Sequence, residues 1–247
     1  MKISILGSGN IGGNLARLFV KAGHDVYLSN SRGPASLKNF VDELGSKLHP
    51  VDVDGAVKQG DVVVVSIHWR ALDSLPIFTV HGKIIVDTTN PYKSDGTIYD
   101  LGDEISSSEV VKHFPGGSVV KAFNTIWFKH LAENGNTSLP LSERRVIPVA
   151  GDDIKAKEKI SRIIEEIGFG PLDTGTLKEG SKLYLANLDN YVTVSKADDD
   201  IVVYDLTGLE KILTPHLDEI AGIELYFNQI RVKANYGTLP CVEKSIF

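Results

Sequence analysis

The chain has 247 residues, 42% of them hydrophobic and 23% charged, and a formal net charge of −6. That length allows one large domain, or one with a small appendage, and the composition is that of a globular protein. The acidic balance gives no electrostatic support to a nucleic-acid or membrane-surface role.

The first strand comes from Ile3, Ile5 and Leu6, followed at once by Gly7-Ser8-Gly9-Asn10-Ile11-Gly12. A helix-period run (Ile11, Leu15, Leu18, Phe19) stops at Gly23, and Asp25 to Ser29 is the second strand. Strand, glycine-rich turn, helix, strand is the setting in which G-x-G-x-x-G marks a dinucleotide fold. In that reading Gly7 allows the tight turn and Gly9 the close approach of a pyrophosphate. Gly12 lets the helix pack on the strand, and the free N–H groups of the helix face the phosphates. The bland alternative is an α/β turn that is merely rich in glycine.

The second strand ends in Ser29-Asn30-Ser31-Arg32-Gly33-Pro34, without the Asp or Glu that an NAD site places there. A carboxylate would repel a 2′-phosphate. Ser31 can donate to one, and Arg32 can pair with it and stack on adenine. Asn, Ser, Gly and Pro are also ordinary turn formers, which is the competing account.

Next come a helix over 35–44, a short strand over 48–51 and a short helix near 54–57 closed by Gly60. Asp61 to Ile67 is a continuous β-branched run, as expected of a strand buried on both faces of a parallel sheet. A helix around 70–75, a strand over 83–87, a helix over 106–113 and a strand over 118–122 follow. Residues 127–134 read as a short helix and 135–142 as a loop. A strand over 145–150, a helix over 154–167 and a strand over 169–173 complete the series. The expectation is a Rossmann-type, doubly wound, mostly parallel α/β sheet of about eight strands. The domains expected are 1–178, binding the dinucleotide, and 179–247, a partly helical appendage packed on the sheet or on a second copy in a homodimer. Helices are expected near Leu206–Leu213 and His216–Tyr226, with an acidic knot at Asp198-Asp199-Asp200.

Together these pieces resemble the coenzyme F420-dependent NADP oxidoreductase family, which includes the NADPH-binding domains of membrane metalloreductases. The matching stretches are Gly7 to Gly12, Ser31-Arg32, Asp87-Thr88-Thr89-Asn90-Pro91, Lys121-Ala122-Phe123-Asn124-Thr125, Pro148 to Asp153 and Ile167 to Asp173. The resemblance implies NADP(H) as cofactor, with coenzyme F420 or a flavin as second substrate. It also implies that Ser31 and Arg32 hold the 2′-phosphate beside Asn30. Ile67-His68-Trp69 and Asn90-Pro91 would flank the nicotinamide, with Asn124 nearby. The chain departs from the family in its longer tail after Gly180 and in His68, where a smaller residue or Pro is expected.

Hydride transfer to a conjugated ring needs two rings positioned more than a dedicated acid or base. The candidate catalytic residues are His68, Trp69 and Asn124; a strand-capping histidine, a core aromatic and a turn asparagine are the blander readings. For Lys121 the blander role is a salt bridge at the sheet edge. No metal site is expected, since the seven histidines form no H-x-x-x-H pair and the single cysteine, Cys241, cannot build a thiolate site. That cysteine cannot form an internal disulfide, no apolar run approaches the roughly 20 residues of a membrane span, and no charged, apolar leader precedes the first strand. A cytoplasmic protein with a small-molecule hydride acceptor as partner is therefore expected, neither inserted in a membrane nor bound to nucleic acid. The competing functions are an imine or β-hydroxyacid reductase and a non-catalytic NADP(H) sensor.

Overall fold

The computed structural model describes residues 1–93, 99–101 and 104–178, together with the backbone of four strands farther along. The first unit is β1 (Lys2–Leu6), α1 (Asn10–Lys21) and β2 (Asp25–Ser29), then α2 (Lys38–Leu44), β3 (Leu48–Pro50), α3 (Val53–Gln59) and β4 (Val62–Val65). The second is β5 (Ile84–Asp87), α4 (Ser108–His113), β6 (Ser118–Ala122), α5 (Phe128–Glu133), β7 (Val146–Gly151), α6 (Ile154–Glu166) and β8 (Gly170–Asp173).

These eight strands form one sheet in the order β3-β2-β1-β4-β5-β6-β7-β8. β1 to β6 run parallel, β7 is antiparallel to β6, and β8 is parallel to β7. The valine run of β4 explains the architecture. Alternate side chains leave opposite faces of a strand, so Val62 and Val64 join one apolar layer while Val63 and Val65 join the other. The first layer takes Leu15 and Phe19 of α1 and Ile160 and Ile164 of α6; the second takes Ala56 and Val57 of α3 and Val110 of α4. Each buried valine contributes about 1.5–3 kcal/mol, and a charge at Val64, which is 1% exposed, would break both sheet and layer.

Three local expectations change. The helix over 35–44 begins as a 3₁₀ turn, Pro34–Leu37, because the chain enters it from Gly33 at φ 82°. The helix near 70–75 is wholly 3₁₀, Trp69–Ser74. β4 stops at Val65, and Ser66 and Ile67 turn off the sheet beside the glycine loop.

In the tail, β9 (Tyr191–Lys196) pairs antiparallel with β10 (Asp199–Tyr204), and β11 (Glu224–Phe227) with β12 (Ile230–Lys233). The helix expected over Leu206–Leu213 lies outside the described residues. The end of the one expected over His216–Tyr226 is instead strand, where the chain alternates Leu225, Phe227 and then Ile230, Val232 with polar neighbours. Asp198 lies outside the described residues, while Asp199 and Asp200 open β10.

Candidate functional site

The sheet order reverses between β1 and β4, and in open α/β sheets ligands bind outside the carboxyl strand ends at such a point. There Gly7 has φ 109°, and a Cβ on it would run into the Ser66 carbonyl oxygen. A Cβ on Gly12 would run into the Gly7 carbonyl oxygen, whereas one on Gly9 meets nothing within 4 Å among the described residues. Gly7 and Gly12 therefore hold the turn together, and Gly9 leaves a space in front of it.

That space lies before the N-terminus of α1. Gly9 caps the helix with no side-chain hydrogen bond, and the first turn carries no acid. Only backbone N–H groups and the positive end of the helix dipole are presented. Ile11 is partly buried in the first apolar layer, and an open cleft of about 420 Å³ runs from Ser8, Gly9 and Asn10 between α1 and α5. Asn14 closes its floor by donating to the Phe128 carbonyl at 2.8 Å.

To one side stands the turn after β2. Asn30 Nδ2 donates to Ser8 Oγ and to Ser36 Oγ, each at 3.0 Å, and its Oδ1 accepts from the Arg32 N–H at 2.9 Å. Asn30 thus ties this turn to the glycine loop. Ser31 and Arg32 are exposed, and the Arg32 guanidinium pairs with none of the described residues.

To the other side lie the ends of β4, β5 and β6. Asn90 Nδ2 donates to the Asn124 carbonyl at 2.8 Å, and Asn124 Nδ2 returns a bond to Asn90 Oδ1 at 2.9 Å. The two expected asparagines are therefore one reciprocal pair beside buried Pro91. Asn124 Oδ1 is enclosed without a hydrogen-bond partner among the described residues. Phe123, before it, is buried at φ 65°, a left-handed conformation rare for an aromatic residue. His68 is exposed at the start of the 3₁₀ turn. Trp69 is docked more firmly: its Nε1 donates to the Ser106 carbonyl at 3.2 Å and its ring lies 5.0 Å from that of Tyr99. It packs on the second apolar layer.

Sequence reasoning missed what lies beneath. Lys121 is not at a sheet edge; β6 is interior, and Lys121 Nζ meets Asp87 Oδ2 at 2.8 Å with both side chains fully buried. Asp87 ends β5 and was legible only as part of the Asp87-to-Pro91 stretch. Also missed was Trp127, 49% exposed three residues beyond Asn124, its ring 5.1 Å from that of His130. Burial, reinforced by the Arg145 charge, pushes the His130 imidazole down to about 4. Away from this end, Asp73, Glu109 and His113 bring potential ligand atoms within 4.8 Å of one another, although Lys112 already holds Glu109 at 2.6 Å. Sequence reasoning looked for paired histidines and passed over this mixed group.

Residues 2–91, which carry the glycine loop, the Asn30–Arg32 turn and Asn90, match the family of coenzyme F420-dependent NADP oxidoreductases. Those residues carry the likeness to that family. It is 29% identical over 250 residues to the metalloreductase STEAP3 of Rattus norvegicus, a match covering 98% of this chain and 48% of the rat protein. The chain thus spans about half the length of that curated relative, and the match extends into the residues after Gly180. Among solved structures it is 31% identical to hypothetical protein SMa0349 of Sinorhizobium meliloti, with TM-score 0.67, covering 74% of this chain and 88% of the other. A candidate F420-dependent NADP reductase of Arthrobacter sp. FB24 shares the fold at 22% identity and TM-score 0.62, over 75% of this chain and 89% of that one.

Proposed function

We propose that this chain binds NADP(H) across the carboxyl ends of β1, β2, β4, β5 and β6 and passes a hydride to a deazaflavin, flavin or similar conjugated acceptor. The observation that carries this reading is the space before Gly9 at the uncapped start of α1, between an acid-free turn bearing Arg32 and the Asn90–Asn124 pair. NADPH, when bound, supplies two electrons and a proton as hydride and leaves as NADP⁺. The chain's own residues bind and orient. Backbone N–H groups of α1 face the pyrophosphate, Ser31 and Arg32 face the 2′-phosphate, and Ile67, His68, Asn90 and Pro91 border the nicotinamide. Asn90 and Asn124 hold one another, so their loops offer a fixed wall rather than an acid or base. The family match and the absence of an Asp or Glu after β2 support NADP(H) over NAD(H).

A second reading draws on the rat metalloreductase match across 98% of the chain: the final acceptor is a ferric or cupric ion. A metal ion takes one electron where a hydride carries two, so a carrier that accepts two electrons and releases them singly, such as a flavin, then stands between them. The test is NADPH oxidation with F420, FMN, FAD, cyclic imines, and ferric chelate with and without FAD. Turnover with F420 or a flavin supports the first reading, and chelate reduction that requires FAD supports the second. Tight NADPH binding without turnover on any acceptor overturns both in favour of a sensor.

A further inference from the structure

Between strands whose other buried residues are Val, Ile and Ala, two opposite charges sit with no solvent exposure, Asp87 at the end of β5 and Lys121 opposite it in β6. Taking such a pair out of water costs several kcal/mol per ion, and apolar residues of similar volume often serve stability as well or better. Stability alone therefore does not account for it. Its hydrogen bonds point elsewhere. Asp87 Oδ1 accepts from the Thr89 N–H at 2.8 Å, and Lys121 Nζ donates to the Thr89 carbonyl at 2.8 Å. Ser107 Oγ donates to Asp87 Oδ2 at 2.7 Å, bracing the carboxylate from the loop before α4. Both polar groups of the Thr89 backbone are thus gripped by one ion pair. The next residue is Asn90, and three residues beyond Lys121, past the left-handed turn at Phe123, is Asn124.

We propose that Asp87, Lys121 and Ser107 are positioning residues for hydride transfer: by clamping Thr89 they fix the Asn90–Asn124 pair against which the nicotinamide is seated. This rests on the function proposed above. The three touch neither cofactor nor acceptor and act through Thr89. Their loss should then reduce the chemical step while leaving the hold on the adenosine half intact.

Lys121→Met alone strands a buried carboxylate and is expected to unfold the domain. The test therefore uses Ser107→Ala and the charge-balanced double variant Asp87→Asn/Lys121→Met. Each is measured, well below its thermal midpoint, for kcat, for the KM of the best wild-type acceptor, and for the Kd of adenosine 2′,5′-bisphosphate, which lacks the nicotinamide. The emission of bound NADPH reports nicotinamide seating independently of any acceptor. In the double variant kcat should fall about 10- to 100-fold, the scale of an ångström-level misplacement, with a smaller fall in Ser107→Ala. The bisphosphate Kd should stay within about twofold, and the emission should shift toward that of free NADPH. A folded double variant with wild-type kcat and emission overturns the proposal while leaving the proposed function standing. So does a parallel loss of bisphosphate affinity, the mark of general loosening. Wild-type protein that fails to bind NADPH overturns the proposed function, and this inference with it.

Discussion

The two flanks of the glycine loop are built by opposite means. The Asn30–Arg32 turn is exposed, and its hydrogen bonds run within a few residues or to the adjoining loop at Ser8. The Asn90–Asn124 flank is assembled from residues 34 positions apart and rests on an ion pair with no exposure to solvent. A solvated turn can select a ligand by charge, and its residues can be exchanged at little cost to the fold. A clamp across buried strands selects by position, and changes there reach the core. Discrimination between cofactors should therefore separate experimentally from chemistry and from stability.

The hinge between the flanks offers the largest effect. Gly9→Val places its side chain where a Cβ meets nothing, so the fold should keep its thermal midpoint while NADPH affinity drops by about 100-fold or more. Gly7→Val drives a side chain into the Ser66 carbonyl from φ 109° and should destabilise the protein by about 3 kcal/mol or more. Thermal melts paired with NADPH titrations check both. A folded Gly9→Val protein with unchanged NADPH affinity would remove the dinucleotide reading.

Arg32 tests the exposed flank alone. A hydrogen bond to a charged group contributes about 1.5–3 kcal/mol, less where solvent screens it. Arg32→Ala should thus weaken NADPH binding about 10- to 150-fold, with Ser31→Ala milder and the thermal midpoint unmoved. NADH lacks the 2′-phosphate and should lose far less, and added salt should shrink the wild-type preference. Dissociation constants at two ionic strengths decide the matter. Equal weakening of both cofactors by Arg32→Ala would show that the turn reads no phosphate.

The same contrast explains what the sequence disclosed. β2 and β6 lie at the residues expected, 25–29 and 118–122, because β-branched and aromatic residues such as Val26, Tyr27, Val119 and Val120, bounded by turn formers, mark a strand. The glycine loop and the Asn30–Arg32 turn were legible because each is a contiguous stretch whose residue types carry the signal, although Asn30 reaches Ser8, 22 residues away. The Asp87–Lys121–Ser107 clamp was not, since only the strand order brings positions 87, 107 and 121 together. Trp69 was singled out for its place after β4, yet its indole is engaged by Ser106, 37 residues away. The two 3₁₀ segments were read as α-helix because four to six residues are too few for the two periods to differ. In the tail, helical spacing was read into a chain that forms strands at Glu224–Phe227.

The smallest effect concerns protons, and part of it should come from the buried flank. His130 lies on α5, just beyond the Asn124 loop, with its Nδ1 enclosed and without a hydrogen-bond partner among the described residues. Burial first, and the Arg145 charge second, lower its pKa from 6.5 to about 4. The native state thus binds fewer protons than the unfolded chain between those values. The stabilising contribution of the neutral ring is complete above about pH 6.5 and is lost as pH falls toward about 4. Because the ring is partly open to solvent, the effect is discounted to about 1 kcal/mol, or a few degrees in the thermal midpoint. His24, also lowered chiefly by burial, adds acid sensitivity in the same direction from the opposite end of α1. His130→Gln should therefore remove only part of the acid loss. Melting the cofactor-free wild type and variant at pH 7 and pH 4.5 isolates that part, and the variant's midpoint should fall by a few degrees less. Wild type and His130→Gln falling in parallel would show that the enclosed imidazole does not govern the acid response. Arg32→Ala, in the exposed turn, should follow the wild-type curve.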